Sequence, residues 1–280
     1  MKKMENETLK NVLPASLNLK ILSFLQPSLQ REALGFTEEN KLPKVTFLDK
    51  LKEGEEPKLL NKDDLKALEE KGFVLKDKFL DNQELLYGLT EEVTIELLFE
   101  LFSTCIHLNN DFIKLKILKM EQMKPAGMSR GDSKWKDDKI RGDLHLWVHD
   151  TESFKPFKFL VCLLHSIDSI RNELNEKCEF GSEKVQIQVT CYPGEEARYV
   201  RHLDTLKDKG PDRRVTCIYY PNREWKKEDG GELRVYLENG EDFVDIQPVA
   251  DRLVVFQSRR IEHEVLPTKK ERYAVSSWFY

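Results

Sequence analysis

From Leu144 to Trp278 the chain breaks into short runs in which apolar and polar residues alternate with a period of two. This feature constrains the fold most, because successive strand side chains point to opposite faces and a half-buried sheet is what rewards such alternation. Leu144, Leu146 and Val148 share one face, with His145, Trp147 and His149 on the other. Val185, Ile187, Val189 and Cys191 share a face further on, as do Thr216, Ile218 and Tyr220, and then Leu233, Val235 and Leu237 after Gly230-Gly231. The continuous run Leu253 to Phe256 is short enough for a buried strand, and Arg272, Ala274, Ser276 and Trp278 alternate with Tyr273, Val275, Ser277 and Phe279. Seven or eight short strands separated by turn signals predict a mainly β sandwich or barrel with helices on its outer face.

The helices come from a different periodicity. Leu160, Leu163, Leu164, Ile167, Ile170 and Leu174 form one apolar stripe inside the β-rich region. Upstream, Asn61 is placed to cap a helix from Lys62 to Lys71 that Gly72 ends. Phe73 to Leu75 then reads as a strand, and a longer helix is expected over roughly Asp81 to His107. Ile113 to Leu118 is apolar without a clear period, and Pro125 to Lys139 reads as a mobile polar loop. Residues 1–60 end in the charged stretch Lys52 to Lys58 and are expected to be an N-terminal extension, with the folded domain spanning 61–280.

Composition narrows the function classes. The formal net charge is −5, so no overall positive field exists to draw nucleic acid, and 10% aromatic residues argue against a disordered chain. The longest apolar run, Phe159 to Leu164, falls far short of the roughly 18–20 residues that cross a bilayer, so no membrane partner is expected. Glu5, Glu7 and Lys10 stand where a secretory signal needs an apolar stretch. The cysteines Cys105, Cys162, Cys178, Cys191 and Cys217 are odd in number, irregular in spacing and lack a CxxC pair. They point to free thiols in a reducing compartment and so to a soluble cytoplasmic protein; a monomer is expected. Without a secretory context, Arg130-Gly-Asp132 does not read as an adhesion ligand.

Among six histidines, His202 stands out because Asp204 follows two residues later, where a strand would project both from one face. His263 near the start of a later strand would complete two imidazoles and a carboxylate, a set that leaves coordination positions open and suits Fe(II). His145 and His149 share a face but lack a carboxylate to complete a set. Arg272 is expected on a strand next to the one that His263 leads into. A guanidinium facing into a barrel is costly unless it meets an anion, and its planar fork matches a carboxylate, to which Tyr220 adds a hydroxyl. From spacing alone two readings stand: a metal-and-anion site, or a structural ion pair at Arg272 with the other residues at the surface.

The segments Cys191-Tyr-Pro-Gly194, Tyr199 to Asp204, Val215 to Tyr220, Gly230 to Arg234, Asp251 to Phe256 and His263-Glu-Val265 resemble the hypoxia-inducible-factor prolyl hydroxylases. Arg272 to Ala274, Trp278 and Arg141-Gly-Asp143 with Trp147 extend the resemblance, which covers roughly Gly72 to Tyr280. It implies a double-stranded β-helix, the jelly-roll core of the 2-oxoglutarate dioxygenases. It implies that His202, Asp204 and His263 hold Fe(II), and that Arg272 and Tyr220 hold the distal carboxylate of the cosubstrate 2-oxoglutarate. It places Tyr192, Ile218, Leu233, Val265 and Trp278 around that cosubstrate, and Arg141, Asp143 and Arg213 near a bound peptide. Dioxygen is the second cosubstrate and ascorbate a supporting reductant. The implied reaction is 4-hydroxylation of proline in a protein, coupled to decarboxylation of 2-oxoglutarate to succinate.

The sequence departs from the animal pattern at Glu195 to Arg198, where those enzymes have a glycine-rich turn, at a longer Thr205 to Arg214 loop, and at an apparent insertion over 103–123. The animal enzymes continue into a helix where this sequence stops at Tyr280. The compact, lysine-rich form is more similar to the cytoplasmic prolyl hydroxylases of protists. That resemblance implies the Skp adaptor of SCF-type ubiquitin ligases as protein partner and an oxygen-sensing role, with a hypoxia-factor-like or other protein as the alternative substrate.

Overall fold

A computed structural model describes residues 42–93, 123–126, 128–130, 133–135, 140–149, 154, 157–205 and 212–280. The helical expectation beyond Val93, the apolar stretch 113–118, the 103–123 insertion and residues 1–41 lie outside the described residues.

The expected cap at Asn61 forms. Helix α1 (Lys62–Glu70) begins with a reciprocal pair, the Asp64 amide donating to Asn61 Oδ1 and the Asn61 amide donating to Asp64 Oδ2, both at 2.9 Å. This satisfies two amides that a helix start otherwise leaves open. Gly72 follows at φ +85°, and a Cβ there would lie 2.5 Å from Ile261 Cδ1, so conformation and space both call for glycine. Strand β1 (Phe73–Asp77) comes next, and helix α2 (Gln83–Val93) fills the first part of the longer helix expected.

Pro125 to Lys139 is not simply a loop. Its described parts are the short strands β2 (Lys124–Pro125), β3 (Met128–Arg130) and β4 (Ser133–Trp135), the last two paired with each other. After β5 (Leu144–Val148) the apolar stripe folds as helix α3 (Lys158–Cys178), with the stripe residues buried. The remaining strands are β6 (Val185–Tyr192), β7 (Ala197–His202), β8 (Val215–Tyr220), β9 (Leu233–Tyr236), β10 (Phe243–Ile246), β11 (Arg252–Gln257), β12 (His263–Thr268) and β13 (Arg272–Phe279).

The strands form a seven-stranded sheet in the order β1-β11-β8-β13-β6-β5-β2 and a four-stranded sheet in the order β10-β9-β12-β7. All pairings among the described strands are antiparallel, and the order is that of a jelly roll. One face of the large sheet packs on the helices: Val189, Cys217, Tyr219, Val255 and Val275 join Leu163, Ile167 and Leu174 in one apolar cluster. The other face meets the small sheet through Ile218, Val254 and Ala274 against Leu233, Val235 and Val265. The mainly β architecture with packed helices is therefore as expected.

The boundary at Asn61 cuts through packed chain. Val45, Phe47 and Leu60 belong to the helix-side core. Gln257 accepts from the Val45 amide at 2.8 Å and donates to the Leu68 carbonyl at 2.8 Å. Glu69 accepts from the amides of Phe47 and Leu48, and Glu173 from those of Lys58 and Leu59. The charged run within 52–58 is exposed apart from buried Pro57, as are Pro43, Lys44, Asp49 and Lys50. No described helix is long and apolar enough to cross a membrane. Cys178, Cys191 and Cys217 are buried, Cys162 is exposed, and these four are free thiols.

Candidate metal and cosubstrate site

His202 and His263 occupy directly paired positions on β7 and β12, at one end of the small sheet. Asp204 does not share a strand face with His202, as the spacing suggests; β7 ends at His202 and Asp204 lies two residues past it. The turn of the chain carries its carboxylate between the sheets, and Oδ1 stands 3.8 Å from Nε2 of both histidines. One ligand atom from each residue lies within 4.8 Å of the others.

The protons on these rings follow from their partners. His202 Nδ1 lies 2.8 Å from the Val200 carbonyl and His263 Nδ1 lies 3.1 Å from the Ile261 carbonyl. A carbonyl only accepts, so both Nδ1 atoms carry hydrogen and both Nε2 atoms present lone pairs to a carboxylate oxygen. Three lone-pair donors thus face one another with no proton between them, an arrangement that fits a cation. Burial first, and then the neighbouring His263, push the His202 pKa down, so its imidazole stays neutral. Burial opposes ionisation of Asp204, but its charged and hydrogen-bonding neighbours, Arg213 and the Thr216 hydroxyl among them, hold it below the usual carboxylate range.

Arg272 lies across the cavity from this cluster. It is not on a strand beside β12: β13 pairs with β6 and β8 in the large sheet, and the two residues face each other from opposite sheets. Its guanidinium is 1% exposed, donates from Nε to the Gly231 carbonyl at 2.7 Å and from Nη2 to Tyr220 Oη at 3.3 Å, and lies near the rings of Tyr192 and Tyr220. Burial raises the pKa of both tyrosines, so both stay neutral. No carboxylate lies within ion-pair distance of Arg272 among the described residues. A buried cation with only neutral neighbours is unfavourable on its own and is a ready partner for an anion. The structural ion pair that spacing left open for Arg272 is thus not found.

A cavity of about 110 Å³ joins the two clusters and is lined by Tyr192, Ile218, Leu233, Val265 and Trp278 among others. It has an apolar middle, a cation at one end and the metal-ligand set toward the other. Gly231, at φ +69°, leaves room for the arginine, since a Cβ there would stand 3.0 Å from Arg272 Cδ. The sequence singled out the glycine pair as a turn but not as a wall of the site.

Arg141, Asp143 and Arg213 stand at the rim. Arg141 pairs with buried Asp143 through two bonds of 2.7 and 3.0 Å, and its guanidinium covers the Tyr199 ring at 4.5 Å. Tyr199 in turn stacks on His202 with ring centroids 3.8 Å apart. The Arg213 guanidinium carbon lies over the Trp278 ring, 4.1 Å from its centroid. Thr216 and Trp147, which also line the cavity, were not identified as site residues from the sequence. His145 lies outside the cavity lining, and His165 is exposed on α3.

Comparison with known proteins agrees with this geometry. Residues 187–280 match the model of the 2OG-Fe(II) oxygenase superfamily, whose members use Fe(II), 2-oxoglutarate and dioxygen. Human Egl nine homolog 1 is 40% identical over 147 residues, covering 50% of this chain and 33% of that protein. The hypoxia-inducible factor prolyl hydroxylase of Caenorhabditis elegans is 34% identical over 184 residues, covering 61% of this chain and 25% of that protein. The chain therefore matches at most about a third of the length of these two relatives. Among solved structures, a Pseudomonas putida prolyl-4-hydroxylase aligns with a TM-score of 0.57 at 28% identity, covering 76% of this chain and 95% of that one. A Trichoplax adhaerens prolyl hydroxylase in complex with a hypoxia inducible factor peptide aligns with a TM-score of 0.56 at 26% identity, covering 77% and 86%. Residues 187–280 are thus similar to the 2OG-Fe(II) oxygenases and lie on a jelly-roll core, and the proteins similar to this chain include prolyl hydroxylases.

Proposed function

We propose that the chain is an Fe(II)- and 2-oxoglutarate-dependent prolyl 4-hydroxylase of a protein substrate. The observation that carries this reading is the pairing, in one cavity, of three converging lone-pair donors with a buried arginine that lacks a carboxylate partner among the described residues. His202, Asp204 and His263 would hold Fe(II), which with 2-oxoglutarate and dioxygen supplies the oxidising power for converting a C–H bond to C–OH. Arg272 and Tyr220 would bind the distal carboxylate of 2-oxoglutarate, the guanidinium fork giving it one orientation. Tyr192, Ile218, Leu233 and Val265 would enclose its carbon chain and exclude water, and Trp278 would close the side toward the rim. Arg141 with Asp143, and Arg213, would contact the peptide carrying the proline.

The favoured substrate is the Skp adaptor of SCF-type ubiquitin ligases, in the cytoplasm, where hydroxylation would report oxygen supply. Support for that branch comes from the lysine-rich sequence and from free thiols suited to a reducing compartment. A hypoxia-factor-like peptide is the second reading, favoured by the likeness to the Trichoplax complex. The test is mass spectrometry of a Skp adaptor and of a hypoxia-factor peptide after incubation with the protein, Fe(II), ascorbate and 2-oxoglutarate in air. One added oxygen on an adaptor proline, absent with His202→Ala, is expected. Oxygen on the peptide alone would replace the adaptor by the second reading. No added oxygen on either, while 2-oxoglutarate is still consumed, would overturn both substrates.

A further inference from the structure

The two oxygens of Asp204 have different surroundings. Oδ1 faces the two imidazoles, whereas Oδ2 is turned to the large sheet. There it meets the Thr216 hydroxyl at 2.7 Å and the Trp278 indole nitrogen at 2.9 Å. These two groups come from directly paired positions on β8 and β13, so the sheet register itself brings both to one atom. Thr216 Oγ1 also lies 2.7 Å from Ser258 Oγ, at the end of β11. Both hydroxyls are buried, at 1% and 0% exposure.

The direction of this chain follows from counting protons. An ionised carboxylate only accepts, so Thr216 donates its one proton to Asp204 Oδ2. The Ser258 hydroxyl must then donate to Thr216, and the indole N–H donates to the same carboxylate oxygen. Two strong donors on Oδ2 fix the carboxylate plane and occupy that oxygen's lone pairs. Oδ1 is left as the single oxygen offered toward His202 and His263.

Resting on the proposed metal site, we infer that Thr216, backed by Ser258 and joined by Trp278, is a positioning residue that makes Asp204 a one-oxygen ligand. The consequence is chemical. Three one-atom ligands would leave positions on a bound Fe(II) free for the cosubstrates. A carboxylate free to turn could offer both oxygens and compete with those cosubstrates. The large sheet thereby sets the denticity of a ligand that belongs to the loop after a small-sheet strand. Partners that orient ligands in this way typically affect metal affinity by roughly 10–100-fold.

The test uses the whole chain without iron, titrated with Co(II) under anaerobic conditions, reading the dissociation constant and the visible absorption of the bound ion. Thr216→Val is expected to weaken Co(II) binding by about tenfold or more and to change the absorption spectrum, with Thr216→Ser restoring both. Ser258→Ala, which removes the donor to Thr216 without touching Asp204, is expected to shift both readouts in the same direction by less. Thr216→Val with a wild-type melting curve, an affinity within twofold of wild type and an unchanged spectrum would overturn the inference. If Thr216→Val does not fold, the same null result for Ser258→Ala would overturn it. A wild-type protein that binds no Co(II), or binds it equally well after Asp204→Ala, would overturn the metal site itself.

Discussion

The two faces of the large sheet are built from the same strands and are made for different ends. On β13, Tyr273, Val275 and Phe279 look toward the helices, while Arg272, Ala274, Ser276 and Trp278 look toward the cavity. On β8, Cys217 and Tyr219 face the helices, while Thr216 and Ile218 face the cavity. The helix-side face is almost wholly apolar, and its order comes from close packing. The cavity-side face holds a buried cation and a hydrogen-bonded carboxylate anchor that packing alone would not favour. Adjacent residues on one strand thus fall into a stability layer and a chemistry layer. Rigidity in the first is what holds the second in register.

Substitutions can break this comparison by moving the wrong readout. Leu163→Ala, in the helix layer, is expected to lower unfolding stability by about 2–5 kcal/mol in denaturant titration while leaving 2-oxoglutarate affinity unchanged. A large loss of cosubstrate affinity at equal folded fraction would mean that the layers are not separable. Arg272→Ala, in the cavity layer, is expected to weaken 2-oxoglutarate binding by about a hundredfold, since a charge-assisted fork is lost. Calorimetric titration of the metal-loaded protein reads this directly, and an unchanged affinity would remove Arg272 from the site.

A smaller effect sharpens the contrast through pH. Burial holds the folded-state pKa of His202 at about 3, against an ordinary value of 6.5. Below pH 6.5 the unfolded chain therefore binds more protons at this residue than the folded one, and stability falls as pH falls. Metal-free protein is expected to lose roughly 1 kcal/mol from this residue between pH 6.5 and 5.5. Thermal melts over that range should show the loss in the wild type and a flatter profile in His202→Asn. Equal slopes would assign the dependence elsewhere.

Much of this division was legible in the sequence. Period-two alternation separated Arg272, Ala274, Ser276 and Trp278 from their neighbours, and the order His202, Asp204, His263, Arg272 suggested a metal and an anion. Alternation gives the face of a strand but not the sheet it joins, so it does not reveal that Arg272 belongs to the large sheet and not to a strand beside β12. Spacing also put Asp204 on a strand, whereas β7 stops at His202. Thr216 reads as an ordinary strand threonine until the register sets it opposite Trp278. The packing of 45–60 was hidden for a related reason. It is held by Glu69, Glu173 and Gln257 accepting backbone amides, and in sequence those side chains look like solvated polar positions.

The central claim is that His202, Asp204 and His263 form one metal site, and equilibrium dialysis against Fe(II) under anaerobic conditions tests it most directly. The account predicts one bound ion per chain, with binding lost in His263→Ala while the Leu163→Ala variant still binds one ion. Binding that persists in His263→Ala, or a wild-type chain that retains no ion, would contradict it.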